Sequence, residues 1–495
     1  MNATSFIFHA DPLHPACQSL IKQTCHRLSF YYRNQIVEYI NSSKPPIKYN
    51  PSVSRIGHEE TFDKILAKQL LAKYYTCLNR WNKSFLSDST YGALVESIGS
   101  LYLFVTSQRC KAAIFLTASP HHLSSIILDI ACCMAKVDRV FLYPVVFSRR
   151  VLPVVKTGTY QNSSYKYYND FLTNHESFHD LVIFKERSKK RLSPKTNQSI
   201  KSSPQDFISS FFKLSIRYKK QKLLNLIPLS LLRIINKNIP SKINEIVPQR
   251  ILNNHYKISI ISRILAVANQ AIYNRKLHKT IKKNTTGANI SINSKVTLCI
   301  FPGIEPEATT APEGGTYDSI ASLAIELRKK FPNIAILYKE HPNVQSLILE
   351  NELSMAGYYR NRKFLRLISE LKIYPVSNEY LDLISKETSV LAVTLTGTIA
   401  IERSLSGLQT IVAGIPYYGL GLPGVIPLSS IENIDLLSSQ DNKNISDNAL
   451  NYLSSLLKSK CIDNPFGIGS GIINTPSKSF IKEYLNLLNS TASEQ

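Results

Sequence analysis

Apolar runs of strand length alternate with segments of helical spacing in two separate parts of the chain. In the first part, an apolar run at 112–117 precedes a segment with helical spacing at 123–136, and a second apolar run follows at 139–143. A strand, a helix and a further strand in this order form a βαβ unit, which favours a parallel sheet. The first hundred residues are expected to be mainly helical, for example over 62–81.

The same alternation is clearer towards the C-terminus. Apolar runs that predict buried strands lie at 296–301, 334–338, 373–376, 390–395 and 410–413. Segments whose spacing predicts helices lie at 318–331, 361–371, 380–386, 399–406 and 478–488. The predicted fold class is therefore α/β, with two doubly wound domains of the Rossmann type.

Positive charge is concentrated between these two parts. The chain of 495 residues has 59 Lys and Arg against 35 Asp and Glu, a net charge of +24. The segment 185–283 alone has 23 basic and three acidic residues, a net charge of +20. We therefore predict an N-terminal α/β domain at 1–184, a basic and largely helical insertion at 185–290, and a C-terminal α/β domain at 291–495.

The basic segment also contains amphipathic stretches, at 207–214, 223–235 and 251–272, with prolines between them. Basic amphipathic helices favour an anionic membrane surface, at about 1 kcal/mol for each basic side chain near the lipid. A solvated helical insertion is the alternative. Nucleic acid is not expected as a partner, because the basic residues are not interleaved with aromatic residues as they are in RNA-binding segments.

The composition excludes several classes of protein. Hydrophobic residues make up 44% of the chain and charged residues 19%, which excludes wholesale disorder. No apolar run approaches the ~20 residues that cross a bilayer, and the first residues lack the basic flank of a secretory signal. The eight cysteines form no CxxC pair, as expected for reduced thiols. We expect a cytoplasmic protein, peripheral to the inner face of the cell membrane.

Loops that follow the predicted strands carry the candidate chemistry, since ligands of doubly wound sheets lie at the carboxyl ends of strands. After the strand at 390–395, Thr396, Gly397 and Thr398 lead into a helix that contains Glu402. Backbone N–H groups at a helix start bind anions, and glycine permits a close approach. Glu402 is placed to accept hydrogen bonds from ribose hydroxyls. The alternative is an ordinary helix start, with Thr398 as N-cap and Glu402 solvated.

The loop after the strand at 334–338 contains Lys339, Glu340, His341 and Pro342. The imidazole can donate a hydrogen bond to a phosphate oxygen, and the proline stiffens the turn that presents it. A purely structural histidine is the alternative.

Acidic residues follow the strand at 296–301, where Glu305 and Glu307 lie two residues apart across a proline. One of them could act as a catalytic base, and a pair of surface acids is the alternative. A glycine-rich loop at 414–424 follows the last predicted strand, whereas the glycine-rich run at 467–471 has no strand before it and is expected to be an ordinary loop. Neither GxxxxGKS/T nor HExxH is present, so a P-loop kinase or a zinc protease is not supported.

Four motifs taken together resemble the bacterial capsule polysaccharide biosynthesis family, which includes the Kdo transferases of capsule assembly. They are IEPEATTAPEGGTYDS (304–319), YKEHP (338–342), TLTGTIAIERSLSG (394–407) and AGIPYYGLGLPGV (413–425). The Pro-His-His loop at 120–122 resembles a Pro-His loop in the N-terminal half of some members. The resemblance implies a GT-B fold.

The resemblance also implies a glycosyltransferase that moves a sugar from a nucleotide-activated donor, with a CMP-sugar favoured, to a capsular or other surface polysaccharide. By likeness to the His-Pro element of CMP-sugar enzymes such as bacterial sialyltransferases, His341 would bind the phosphate. Thr396 and Thr398 would support it, and Glu402 would hold the ribose. The implied nucleotide- and phosphate-binding set is Lys339, Glu340, His341, Pro342, Thr396, Gly397, Thr398 and Glu402.

The N-terminal domain would face the acceptor through His121 and His122. The general base would be Glu307, Glu305 or His121, in that order of preference. No metal or other cofactor is expected, because GT-B enzymes of this kind do not need one and the chain has no Asp-x-Asp motif. Two alternatives stay open: a CDP-polyol phosphotransferase of the teichoic-acid type, which also carries a His-Pro loop, and a non-catalytic capsule assembly or export factor.

Overall fold

The computed structural model of the protein describes part of the chain. The described residues are 5–24, 26–32, 35–39, 46–49, 62–74, 88–116, 123–146, 148, 150–157, 164–167, 178–192, 260–286, 295–303, 305, 316–317, 319–341, 344, 360–384, 389–434, 437, 443–466 and 478–493. Several predicted features lie outside these residues. They are His121, His122, Glu307, Pro342, the glycine run 467–471 and the basic segment from 193 to 259.

Fifteen strands occur in the described part of the chain. They are β1 (Ser5–His9), β2 (Arg27–Tyr32), β3 (Gln35–Tyr39), β4 (Ile47–Tyr49), β5 (Cys110–Phe115), β6 (Asp138–Pro144), β7 (Arg150–Thr157), β8 (Ser164–Tyr167), β9 (Val296–Ile300), β10 (Ala335–Tyr338), β11 (Ile373–Pro375), β12 (Ser389–Thr394), β13 (Thr410–Val412), β14 (Val425–Pro427) and β15 (Ile462–Asp463).

Twelve α-helices occur in the same residues. They are α1 (Pro15–Gln23), α2 (Lys64–Lys73), α3 (Asp88–Ser107), α4 (Leu123–Met134), α5 (Phe178–Leu192), α6 (Ile260–Thr286), α7 (Ile320–Lys330), α8 (Arg362–Glu370), α9 (Asn378–Ile384), α10 (Ile399–Leu405), α11 (Lys443–Ser459) and α12 (Lys478–Ser493).

The described residues divide into two compact units. Of the described residues, those up to Leu181 and those from Leu453 onwards belong to the N-terminal unit, and those between Val182 and Tyr452 belong to the C-terminal unit. This division differs from the predicted domain of 291–495, because α12 buries Tyr484 and its neighbours in the core of the N-terminal unit. The predicted insertion at 185–290 also differs, because α6 contributes to the core of the C-terminal unit.

The N-terminal unit is built on a mixed sheet of nine strands, in the order β15-β7-β6-β5-β1-β2-β3-β4 with β8 also paired to β7. The four central strands, β6, β5, β1 and β2, are parallel, and antiparallel strands flank them on both sides. The predicted βαβ unit is confirmed, because β5 and β6 pair in parallel on either side of α4 in the chain.

The expectation that the first hundred residues are mainly helical holds in part: among the described residues there, α1, α2 and the first part of α3 contain more residues than the strands, but four strands that were not predicted also occur. The strands β1 to β4 all fall there, and residues of β1, β2 and β3 such as Phe8, Phe30 and Ile36 are buried. Runs such as SFIFH are short, continuous and apolar, so periodicity cannot distinguish them from buried helix; their aromatic and β-branched residues are the better signal for a strand.

Helices cover both faces of this central sheet. On one face, α1 and α12 bury Leu20 and Leu487 against strand residues such as Phe6 and Ile114. On the other face lies α4, whose Asp129 forms a buried ion pair with Arg139 of β6. Because side chains alternate between the faces of a strand, coverage on both faces explains why these strands are apolar throughout.

The C-terminal unit contains a sheet in which all six strands are parallel, in the order β11-β10-β9-β12-β13-β14. Numbered along the chain, this is the 3-2-1-4-5-6 order of a doubly wound Rossmann sheet. One core joins α6, α7 and α8 to the sheet through residues such as Tyr273, Leu323 and Phe364. The predicted class, α/β with two doubly wound Rossmann-type units, is confirmed.

The helices of the C-terminal unit begin where the sequence supplies caps. Ser319 caps α7 through a capping box with Ser322, and the Asn361 side chain accepts hydrogen bonds from two backbone N–H groups at the start of α8. These caps satisfy donors that would otherwise have no partner in the first helical turn. Of the helices in the described residues, none is both long enough and apolar enough to span a bilayer.

Candidate functional site

The carboxyl edge of the C-terminal sheet brings together the loops that the sequence singles out. The chain leaves β9 for β10 on one side and returns to β12 on the other, so the topological switch point lies between β9 and β12. Crevices at such points are where doubly wound sheets bind ligands. The loops after β10 and β13 lie one strand further out on either side, roughly 14 Å apart at the strand spacing of parallel sheets.

The turn after β12 is closed by the side chain of the last strand residue. Thr394 Oγ1 accepts a hydrogen bond from the Gly397 backbone N–H at 3.2 Å. A Cβ at position 397 would lie 2.6 Å from that oxygen, which is closer than non-bonded atoms approach. A side chain at 397 would therefore displace the Thr394 hydroxyl, so the close approach that this glycine permits in the structure is to Thr394 within the protein. The approach of a phosphate to Gly397 stays a prediction.

Thr398 precedes α10 as its N-cap residue, and its side chain makes no capping hydrogen bond. The Thr398 carbonyl nevertheless accepts hydrogen bonds from Ile401 and Glu402 in the first turn. Thr396, Gly397, Thr398 and Glu402 are all partly exposed, so the predicted set of this loop lies at the surface of the carboxyl edge.

The loop after β13 is hydrogen-bonded to the loop after β12. Gly414 N donates to the Leu395 carbonyl at 2.9 Å, and the hydroxyl of the fully buried Tyr418 donates to the Gly397 carbonyl, also at 2.9 Å. Tyr452 of α11 in turn donates to the Tyr418 carbonyl at 3.0 Å. The two loops therefore form one connected structure.

The loop after β10 holds two half-buried basic side chains. The backbone N–H of Lys339 donates to the Ile300 carbonyl at 2.9 Å, which extends the pairing of β10 with β9. Burial lowers the pKa of the Lys339 ammonium, and the nearby Glu340 and Glu379 oppose that shift. Burial also lowers the pKa of His341, against the attraction of the Glu340 carboxylate. At neutral pH the imidazole is therefore uncharged, with one donor and one acceptor nitrogen.

Glu340 is not a surface ligand group. Its side chain is 2% exposed and accepts hydrogen bonds from the hydroxyls of Tyr273 and Tyr338. Its Oε1 also accepts from the backbone N–H of His341 at 2.8 Å. The structure thus places Glu340 beneath the loop, where it supports the predicted phosphate-binding residues rather than reaching a phosphate itself.

Glu305 is likewise internal, with 2% of its surface exposed. Its Oε1 accepts the backbone N–H of Ile320 at 2.8 Å, at the first residue of α7. The sequence predicts that Glu305 points to the crevice mouth as a candidate base. This buried position does not fit that role, because a general base has to come within hydrogen-bonding reach of the substrate.

Arg360 joins the two buried carboxylates and is a residue that sequence reasoning missed. It is fully buried and forms ion pairs with Glu305 and Glu340. Nothing in its sequence context distinguishes it, since it lies immediately before a helix cap and belongs to none of the loop motifs. Only its packing between two strand-end loops connects it to the site.

Arg403, next to Glu402 on α10, has a structural role. Its guanidinium donates to the carbonyls of Gln409 and Val390 at 3.1 and 2.8 Å. Burial lowers its pKa to about 10. Arg403 therefore anchors α10 against β12 and keeps the partly exposed Glu402 at the start of this short helix.

Metal-binding and thiol groups add nothing further to the site in the described residues. Among them, no group of three or more His, Cys, Asp or Glu side chains is arranged to hold a metal ion. The described cysteines are free thiols, and burial raises the pKa of Cys299, beneath this edge, to about 12. Transfer without a metal stays a prediction.

No protein-family model and no curated protein matches this chain. Among solved structures, the UDP-GlcNAc 2-epimerase from Neisseria meningitidis, determined with UDP-GlcNAc bound, is 13% identical over 98% of this chain and 99% of that chain. The TM-score is 0.19, and a likeness at that level carries no argument about this protein. The class, an α/β protein with Rossmann-type units, rests on the strand order and register of the chain itself.

Proposed function

We propose that this protein is a glycosyltransferase that binds a nucleotide-activated sugar at the carboxyl edge of the C-terminal sheet. The donor favoured is a CMP-sugar, and the acceptor is a capsular or other surface polysaccharide. The observation that carries the proposal is the meeting of four loops, after β9, β10, β12 and β13, on either side of the switch point of a 3-2-1-4-5-6 sheet. This edge is where such sheets bind nucleotides.

The side chains proposed for this edge have the hydrogen-bond donors that a phosphate needs. His341 and Lys339 supply donors from the β10 loop, and Thr396 and Thr398 supply hydroxyls from the β12 loop. Fixed donors directed at the leaving phosphate stabilise the charge that develops as the sugar is transferred, which is usually the largest single contribution to such catalysis. Half-burial strengthens these interactions, because the effective dielectric is lower than in water. Glu402 is the residue we assign to the ribose.

The proposal is tested by His341→Ala together with a panel of CMP-, CDP- and UDP-activated donors. We expect one donor class to raise the melting temperature of the wild-type protein, since a ligand at 100 times its dissociation constant stabilises by about 2.7 kcal/mol. His341→Ala should abolish that shift and lower transfer by roughly 10²–10³-fold. His278→Ala, at an exposed position on α6, is the control and should behave as wild type. Unchanged turnover in His341→Ala would remove the phosphate role.

The same panel separates the other candidate functions. A CDP-polyol phosphotransferase of the teichoic-acid type should be stabilised by CDP-glycerol and not by CMP-sugars. A capsule assembly or export factor without turnover should show no stabilisation by any nucleotide. The general base is left to Glu307 or His121, both outside the described residues, and each is tested by substitution to Gln or Asn in the transfer assay.

We propose further that the protein docks on an anionic membrane surface, and a basic face on the C-terminal unit supports this. On α6 the basic residues recur at three- and four-residue spacing and are exposed, with no acidic residue in the helix. The neighbouring α8 adds three more, its Phe364 ring lying 6.4 Å from that of Tyr273. The exposed basic residues of this face are Arg275, Lys276, Lys279, Lys282, Lys283, Arg362, Lys363 and Arg366.

The membrane proposal is tested by flotation with vesicles that contain or lack anionic lipid. Replacing Lys276, Lys279 and Lys283 together by Gln should weaken recovery with anionic vesicles at least tenfold, since each charge contributes about 1 kcal/mol near the lipid. The control replaces three exposed lysines of the N-terminal unit, Lys22, Lys64 and Lys68. Equal recovery with both vesicle types, or equal loss in both triple variants, would contradict the proposal, as would displacement by RNA.

A further inference from the structure

Arg360 is an arginine with no exposed surface, at the carboxyl edge of the C-terminal sheet. It directly precedes Asn361, the N-cap of α8, and its guanidinium carbon lies 5.0 Å from the centre of the Phe364 ring. Arginine is almost never fully buried unless its charge is paired. Its partners therefore show what the side chain does there.

The guanidinium joins the loops that follow two neighbouring strands. In the loop after β9 it donates from Nη1 to the Glu305 carboxylate and from Nη2 to the Gly303 carbonyl at 3.2 Å. In the loop after β10 it donates from Nε to Glu340 Oε2 at 3.2 Å. The rigid, planar fork of donors lets one side chain hold two loops at a set separation, which a lysine ammonium cannot do.

Each carboxylate also accepts a hydrogen bond from a backbone N–H group, so the network restrains the backbone as well. Glu340 Oε1 accepts the N–H of His341 at 2.8 Å, and Glu305 Oε1 accepts the N–H of Ile320 at the start of α7, also at 2.8 Å. The backbone that bears the imidazole is therefore connected through one carboxylate to Arg360. The same guanidinium is connected through the other carboxylate to a helix of the unit's core.

A gain in folding stability does not by itself explain why these three charged side chains are buried together. Removing three charged groups from water is costly, and well-packed apolar residues of similar volume often stabilise a fold as well or better. Buried polar groups do, however, fix one arrangement among several, because a displaced charge inside the protein would have no partner. Because the network of Arg360, Glu305 and Glu340 lies at the edge where the loops converge, we expect it to fix the positions of those loops.

We infer that Arg360 is a positioning residue of the candidate site, which sets the separation of the β9 and β10 loops and thereby the placement of the His341 imidazole towards a nucleotide phosphate. This inference rests on the proposed function. The residue touches no reacting atom and acts through Glu340 and Glu305.

The matched control is Arg328, an arginine of the same unit at the opposite edge of the same sheet. It donates only to carbonyl groups, among them Leu371 and Ile334, just before β11 and β10. Arg360→Lys and Arg328→Lys therefore make the same chemical change at the carboxyl and amino edges. Both should lower the melting temperature, so the control separates a specific effect on the two loops from a general loss of stability.

Hydrogen exchange of the full-length protein without nucleotide tests the loops directly. We expect the amides of Gly303, Glu305 and residues 339–341 to exchange at least tenfold faster in Arg360→Lys and at the wild-type rate in Arg328→Lys. Nucleotide titration, at a temperature where both variants are folded, should show a dissociation constant raised at least tenfold in Arg360→Lys and less than twofold in Arg328→Lys.

Two results would overturn the inference: unchanged exchange at 339–341 in Arg360→Lys, or the same rise in dissociation constant in both variants. A wild-type protein that binds no donor of the panel would instead contradict the proposed function. In that case the exchange measurement still decides whether Arg360 holds the two loops.

Discussion

Two arginines of the C-terminal unit, Arg360 and Arg328, lie at opposite edges of one sheet and have different partners. Arg360 is fully buried between two carboxylates at the carboxyl edge. Arg328 is half-buried and gathers the carbonyl groups that precede β10 and β11 at the amino edge. Carbonyl groups need donors wherever a chain turns, so Arg328 serves the fold, whereas the carboxylates of Arg360 are side chains supplied by the loops of the candidate site.

The largest difference should appear when each arginine loses its charge. Arg360→Met leaves two carboxylates buried without their cation, and we expect the free energy of unfolding to fall by about 3–5 kcal/mol. Arg328→Met leaves neutral carbonyls short of a donor and should cost less, about 1–3 kcal/mol. Urea denaturation of both variants measures the two values. Equal losses of unfolding free energy in the two variants would show that pairing with buried carboxylates does not make Arg360 more important to stability than Arg328.

A second prediction concerns Tyr273, one of the two tyrosines that share Glu340 with Arg360. Tyr273→Phe removes a hydrogen bond to a carboxylate, and we expect a loss of about 2 kcal/mol in unfolding free energy. Tyr452→Phe is the control, since its hydroxyl donates to the neutral Tyr418 carbonyl, and should cost about 1 kcal/mol. A larger loss in the control variant would contradict the central place given to the carboxylate network.

A third prediction extends the comparison along the carboxyl edge to the turn after β12. Gly397→Ala would bring a methyl group against Thr394 Oγ1, and we expect a loss of about 1 kcal/mol, because rotation of one side chain relieves the contact. In a Thr394→Ala background the same substitution should be nearly neutral. If the cost is the same in both backgrounds, the hydroxyl is not the obstacle.

The smallest effect expected is a pH dependence from His341. Burial lowers its folded-state pKa, so between that pKa and the unfolded value of about 6.5 the unfolded chain binds more protons. The protein should therefore lose stability as the pH falls below about 6.5 and level off below the folded pKa. His341→Gln should remove this part of the loss, as measured by urea midpoints at two pH values. Because burial also lowers the pKa of His14 in the N-terminal unit, some loss should persist in the variant.

Local pattern was sufficient for most of the C-terminal elements, although the strand β14 and the helix α11 were not predicted. The predicted strand at 334–338 and helix at 361–371 match β10 and α8 to within one or two residues, because a buried apolar run and a capped amphipathic segment each have a signature of their own. The same reasoning missed the strands of the first hundred residues, because short aromatic strands such as β1 and β2 lack alternation. It also failed for the packing of α12, since no local signal shows which of two sheets a C-terminal helix covers.

The sequence by itself determined the class of the fold and which loops carry polar groups, because strand and helix periods and glycine-rich turns are local properties of the chain. Only the tertiary structure decided which of those groups are outside and which are inside. In the sequence, Glu305 and His341 are both polar residues of loops that follow strands. In the structure, Glu305 is buried in an ion pair, whereas His341 is partly exposed. The difference comes from Arg360, which is distant from Glu305 in the chain and is brought to it only when helix and sheet pack together.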